Sequence, residues 1–293
     1  MAVAFDIQRV AIAQMAPRLG DIGANLERHH EYIREASAQG AHLIVFPELG
    51  LTGYQTQDLT LEVARSAASP EIQSIVGMSM EIDVLFSFVE ETDDHRFYVT
   101  ALYASKGEIV HKHRKVYLPT YGMFDERRYF APGDRFDVLN SSLGTLGVLI
   151  CEDAWHLSAP YLLAMQKATL LLVPASSPWR NTMAAAEFGS HAFWRHLLQM
   201  YAQLLGVHIV FANRVGYEDG VHFYGGSGIV APNGSWLVEA GTGESELIVA
   251  EIDRRLTRRT RYTTPLVRDE RVHLVASQLQ ALLQRGDFGA PGH

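Results

Sequence analysis

Three short apolar runs in this sequence lead into residues that can do chemistry. Glu48 follows Leu43-Ile44-Val45-Phe46 and Pro47. Cys151 follows Val148-Leu149-Ile150. Lys115 closes the basic segment His111-Lys112-His113-Arg114-Lys115, which comes after Ile109-Val110. A carboxylate, an ammonium and a thiol are the parts needed for nucleophilic attack on an amide-like carbon. The thiolate form is the nucleophile. A neighbouring carboxylate can take the thiol proton and later activate water. An ammonium, together with a backbone N–H, can hold the oxyanion that develops on the substrate. Each residue alone has an ordinary explanation: a solvated loop acid, a surface lysine and, for the only cysteine, a small buried hydrophobe. Their joint occurrence at the ends of three apolar runs is what favours chemistry.

The elements that must position these residues follow from patterning. Strands are predicted at Val10–Gln14, Leu43–Phe46, Asp83–Glu90, Phe97–Ser105, Ile109–His111, Gly144–Ile150, Thr169–Val173, Val207–Ala212, Ser227–Ala231, Trp236–Glu239 and Leu247–Ile252. Helices are predicted at Asn25–Ala38, Pro70–Met80, Pro160–Lys167, Met183–Leu205 and within the tail Arg271–Leu283. The segment from His113 to Asp134 is long, irregular and rich in charge and aromatics, a length that compact domains reserve for functional loops. Strands and helices alternate early and hairpins appear later, so a mixed sheet is expected, with two sheets faced by helices to bury this many apolar strands.

Composition bounds the rest. The 293 residues are 47% hydrophobic and 20% charged, which is ordinary for a soluble globular protein. The formal net charge of −8 gives no global basic signature for nucleic acid. The cluster from Arg254 to Arg261 is the exception, and it reads as a solvated or inter-subunit face. One cysteine excludes an intramolecular disulfide framework and a multi-cysteine metal site. It fits a reducing compartment. Asp6 and Arg9 interrupt the N-terminal apolar stretch, which makes a poor signal peptide. No run reaches the ~20 apolar residues of a membrane span. A cytoplasmic protein without membrane or nucleic-acid partners is expected. The thirteen histidines include no His-Glu-x-x-His pattern, so no metal is expected. No internal repeat or linker is visible, and residues 1–293 are expected to form one domain.

Phe46-Pro47-Glu48-Leu49, His113-Arg114-Lys115-Val116-Tyr117-Leu118-Pro119 and Gly147-Val148-Leu149-Ile150-Cys151-Glu152-Asp153 resemble, in order, the three signature blocks of the nitrilase superfamily of carbon–nitrogen hydrolases. The finer resemblance, through Glu48 to Tyr54, Leu118 to Phe130 and Cys151 to Trp155, is to the glutaminase domain of glutamine-dependent NAD synthetases. The resemblance implies Glu48 as general base, Lys115 as transition-state stabiliser and Cys151 as nucleophile, with the backbone N–H of Glu152 joining Lys115 at the oxyanion. It implies Glu126 as a further active-site carboxylate, Tyr54 and Tyr121 as pocket walls, and the loop Ala175-Ser176-Ser177-Pro178-Trp179 as a source of substrate contacts. It also implies a four-layer α-β-β-α sandwich and a homodimer or higher homo-oligomer, with the segment from about 254 as the candidate oligomerisation tail. No cofactor is implied.

The synthetases continue into an ATP-pyrophosphatase domain with a Ser-Gly-Gly-x-Asp-Ser phosphate loop. The sequence to His293 offers only Gly225-Gly226-Ser227-Gly228 before a hairpin strand. A stand-alone amidohydrolase that does not itself form NAD is therefore expected. Three activities share the same triad: a glutaminase-like or general amidase, a nitrilase converting a nitrile to an acid, and an ammonia-donating subunit for a separate ATP-dependent synthetase. The resemblance favours the first.

Overall fold

The computed structural model describes residues 7–179 and 189–286. The strands among the described residues are β1 Ile7–Gln14, β2 Leu43–Val45, β3 Asp83–Glu91, β4 Phe97–Ser105, β5 Glu108–Arg114, β6 Val138–Ser141, β7 Gly144–Val148, β8 Leu170–Ala175, β9 His208–Asn213, β10 Val215–Glu218, β11 Val221–Tyr224, β12 Gly228–Val230, β13 Trp236–Glu239 and β14 Glu246–Asp253. The α-helices among the described residues are α1 Ile22–Ala38, α2 Thr60–Val63, α3 Pro70–Gly77, α4 Glu126–Tyr129, α5 Ser158–Met165, α6 Ser190–Leu205, α7 Arg254–Thr263, α8 Leu266–Asp269 and α9 Val272–Arg285.

Two six-stranded sheets dominate, in the orders β14-β1-β2-β3-β4-β5 and β13-β12-β9-β8-β7-β6. Each has a parallel trio, β1-β2-β3 in one and β7-β8-β9 in the other, flanked by antiparallel strands. A separate hairpin, β10-β11, completes the strands.

Side-chain alternation builds the layers. In β8, Leu170 and Leu172 join the first sheet in one core, with Val10, Ile12, Ile44, Leu85 and Leu102. Leu171 and Val173, pointing the other way, join Leu163 of α5 and Trp194, Leu197, Leu198 and Tyr201 of α6 in a second core. On the far side, Ile33 of α1 and Ile72 and Ile75 of α3 pack onto the first sheet. The result is the expected α-β-β-α sandwich. Its helices carry the usual punctuation. Asp21 accepts a hydrogen bond from Ala24 N at the start of α1. Gly206, at φ 57°, ends α6 in the left-handed conformation.

Several boundaries differ from the sequence reading. β5 runs on to Arg114, and the segment to Asp134 contains α4, so it is only partly irregular. The arginine cluster is helical, as α7. β6 and the β10-β11 hairpin were not anticipated. The helix predicted from Met183 runs Ser190–Leu205 after an extended Gly189, and the predicted start at Met183 lies outside the described residues. Gly225-Gly226-Ser227-Gly228 does lead into a hairpin strand. A Cβ at Gly225, which has φ 76°, would lie within 2.6 Å of Gln14.

Candidate active site

The parallel strands deliver their C-terminal ends to one edge of the sandwich, where open α/β sheets gather reactive groups. Glu48 follows β2, Cys151 follows β7 and Ser176 follows β8. Lys115 comes immediately after β5. The chain leaves β7 abruptly. Cys151 has φ 47°, a left-handed value that costs a non-glycine residue about 1–3 kcal/mol. It starts a short 3₁₀ turn, Cys151–Trp155, which takes the thiol off the strand axis.

Lys115 joins both carboxylates. Its Nζ donates to Glu48 Oε1 at 2.7 Å and to Glu126 Oε1 at 2.8 Å, and all three side chains are buried. Glu48 is fixed a second time from β8: its Oε2 accepts from Ser176 N at 2.9 Å, and its carbonyl accepts from Ser176 Oγ at 2.8 Å. Tyr54 Oη donates to the same Glu126 Oε1 at 2.6 Å. Glu126 Oε2 is buried with no hydrogen-bond partner.

These contacts set the protonation states. Burial pushes the Cys151 thiol well above its ordinary value; the Glu48 charge adds to this, and Lys115 opposes it. The resting sulfur is therefore a thiol that needs a base. Burial also raises Glu126, with Lys115 opposing and Glu48 adding, to about 7. Burial works against the Lys115 charge, but Glu126, Glu48 and Cys151 outweigh it and hold the ammonium well above the ordinary lysine range. The site thus holds a permanent cation beside a thiol, with Glu48 in contact with that cation.

The sequence-predicted pocket residues divide into two groups. Tyr54 and Tyr121 both meet the Phe124 ring edge-on, and Tyr121 Oη donates to Glu152 Oε1 and Oε2 at 3.0 and 2.9 Å. Two clefts flank the buried carboxylates and lysine. One, of 230 Å³, is lined by Tyr54, Met123, Phe124 and Glu126. The other, of 350 Å³, is lined by Tyr121, Arg127, Glu152 and His156. In the loop after β8, both hydrogen-bond donors of Ser176 serve Glu48. Ser177 N donates to Asn213 Oδ1, and Ser177 Oγ accepts from Trp194 Nε1. Trp179 is half exposed and its backbone N–H donates to the carbonyl of His222.

Sequence reasoning passed over three supporting groups. Asp153 is fully buried. Its Oδ1 accepts from Val116 N and Tyr117 N, just after Lys115, while its Oδ2 accepts from Ile150 N, just before Cys151. His113 Nε2 lies 2.8 Å from the same Oδ2. The signal was an acid at the third position of a turn, where it can cap the N–H that precedes the turn. The other two groups form a buried pair, Arg214 and Glu218, 2.6 Å apart. Glu218 Oε1 accepts from Tyr54 N and Gln55 N and so anchors the loop that carries Tyr54.

Among the described residues, no group of three His, Cys, Asp or Glu side chains is placed to hold a metal ion. No helix among them is long and apolar enough to cross a membrane.

A four-layer sandwich with a buried Glu-Lys-Glu cluster beside a cysteine at the strand ends defines a class of hydrolases that act on carbon–nitrogen bonds. The chain belongs to that family: residues 9–262 match the carbon-nitrogen hydrolase family model. It is 32% identical over 245 residues to the glutamine-dependent NAD(+) synthetase of Acinetobacter baylyi, an alignment covering 84% of this chain and 44% of that protein. The chain thus spans less than half the length of the synthetases it matches. It is 28% identical over 270 residues to the N-carbamoylputrescine amidase of Arabidopsis thaliana, covering 87% of this chain and 89% of the relative. Among solved structures, a mutant of the amidase from Nesterenkonia sp. superposes with a TM-score of 0.78 at 27% identity, covering 92% of this chain and 96% of that one. That structure shows covalent addition of the acetamide moiety of fluoroacetamide at the active site cysteine.

Proposed function

We propose that the protein hydrolyses a small, non-peptide amide through a thioacyl-enzyme on Cys151, releasing ammonia or an amine. The observation that carries this reading is the bifurcated contact of Lys115 with Glu48 and Glu126 beside the thiol. Glu48 takes the Cys151 proton as sulfur attacks the carbonyl carbon. Lys115 and the backbone N–H of Glu152 receive the oxyanion. Collapse of the tetrahedral intermediate breaks the C–N bond, and the proton held on Glu48 leaves with the amine. Glu48 then draws a proton from water, hydroxide adds to the thioester, and the acid leaves as the Cys151 thiol is restored. Side chains, backbone and water balance the cycle without a cofactor.

The two clefts, one lined by Glu126 and the other by Glu152, are small and mixed in character, which suits a substrate with an amide at one end and a polar group at the other. Likeness to the amidases and to the synthetases' glutamine-hydrolysing half supports an amide over a nitrile. Ammonia release across a panel of amides, ureides and nitriles tests the reading. Amides should be turned over, and Cys151→Ala should lower the rate by about 10³-fold or more. Release that survives Cys151→Ala contradicts the mechanism. Release from nitriles alone contradicts the substrate class.

A further inference from the structure

The opposite edge of the sandwich carries a second concave site. A cleft of about 470 Å³ lies where Leu143, Thr169 and His208 stand at or just before the N-terminal ends of β7, β8 and β9. Glu48, Cys151 and Ser176 follow the other ends of the parallel strands, so this cleft is separated from them by the length of the sheet. Gln8 and Ile252 bring the first sheet to it, and Arg254, Arg255, Arg258 and Arg261 of α7 form its wall.

The charge here is one-sided. No carboxylate lines the cleft among the described residues. Asp253, at the start of α7, is forked with the Arg255 side chain and also accepts from Arg255 N, so it caps the helix. Arg261 donates to the carbonyls of Ala168, Leu205 and Gly206 and so closes the C-terminal end of α6. Neither Arg254 nor Arg258 forms an ion pair with a described carboxylate, and a guanidinium nitrogen of Arg254 lies beside Gly144. Arg254 and Arg255 occupy the first turn of α7, where the helix dipole favours anions and disfavours cations. In a protein of net charge −8, this places two cations without a carboxylate partner, Arg254 and Arg258, around one cavity.

The cleft also has buried polar groups. His208, a lining residue, is 1% exposed. Its Nδ1 is 3.3 Å from Thr257 Oγ1, and its Nε2 has no hydrogen-bond partner. Burial lowers its pKa to about 4, so the ring is neutral at physiological pH and carries one N–H to donate. Arginine forks and a neutral imidazole donor together match the tetrahedral, multiply charged oxygens of phosphate better than a single carboxylate.

We propose that this cleft is a binding site for a small phosphate-bearing anion, held by Arg254 and Arg258 with His208. The inference is independent of the reaction at Cys151. Isothermal titration of the full chain with inorganic pyrophosphate, at low and at moderate salt, tests it. One saturable site per chain is expected, weakening with salt. The Arg254→Ala/Arg258→Ala double variant should bind at least about tenfold more weakly, because two charge-assisted contacts are lost. Arg258→Lys, which keeps the charge but loses the fork, should weaken binding less. It keeps the test usable if the double variant does not fold. Arg18→Ala, at an exposed arginine elsewhere, should bind as the wild type does. Absence of saturable binding overturns the proposal, as does binding unchanged in both the double variant and Arg258→Lys. Citrate binding as tight as pyrophosphate overturns the phosphate assignment. A salt-sensitive self-association that covers the cleft, seen by sedimentation together with no pyrophosphate binding, overturns it in favour of a second copy of the chain.

Discussion

Glu126 is the residue whose environment makes the sharpest demand. It shares Lys115 with Glu48, takes the Tyr54 hydroxyl on the same oxygen, and leaves Oε2 buried without a partner. Its pKa is raised by burial to about 7, above the unfolded value of about 4.3. Between those values the folded protein binds more protons than the unfolded chain, so this group's contribution to stability is full below the unfolded pKa and declines as pH rises toward and through 7. Glu126→Gln removes the titration. Compared with wild type, the variant should gain relative thermal stability from pH 5 to pH 8. A melting-temperature difference that stays flat over that range would contradict the assignment. At this scale the sequence was informative. Glu48, Lys115 and Cys151 could be singled out because each follows an apolar run that places it at a strand end. The partners of Ser176 were not legible: that its donors turn to Glu48 depends on β8 and β2 belonging to facing sheets, across 128 positions of chain.

At the scale of elements, Asp153 is the tie between the segment that carries Lys115 and the turn that carries Cys151. Its two oxygens satisfy Val116 N, Tyr117 N and Ile150 N and meet His113. Asp153→Asn keeps the shape but turns an amide N–H₂ toward donors. Leaving buried groups unsatisfied should cost about 2–4 kcal/mol and lower the melting temperature by roughly 5–10 °C. The separation between lysine and thiol should loosen as well, so kcat should fall more than KM rises; a variant with wild-type kcat would show that the tie does not act on the chemistry. The two sheets also repeat a plan that the amino-acid sequence does not display. Each has a parallel trio whose C-terminal ends face the site. The β10-β11 hairpin was missed although Asp219-Gly220, at φ 48° and 77°, is a turn pair of the kind that joins short hairpins. The flanking strands are only four residues each, and Glu218 and Arg214 turn polar groups inward where alternation alone predicts apolar ones.

For the molecule as a whole, the layered architecture was readable because strand alternation and helix periodicity agreed, with Leu170 to Val173 serving both cores. The arrangement of charge was not readable. The arginines of α7 look like one basic run in sequence, yet folding commits Arg255 to Asp253 and Arg261 to a helix end and leaves Arg254 and Arg258 at a cleft. Similarly, the acidic residues near the thiol split into Glu48 and Glu126, which share the lysine, Asp153, which ties two segments, and Glu152, whose side chain receives Tyr121. All of these groups serve one proposed chemistry, in which Cys151 is the nucleophile. Acid quench during turnover of a small amide, followed by peptide mass spectrometry, tests that claim most directly. The account predicts the substrate's acyl mass on the peptide containing Cys151 and no such adduct in Cys151→Ala. Ammonia release with the acyl group on another residue would contradict it.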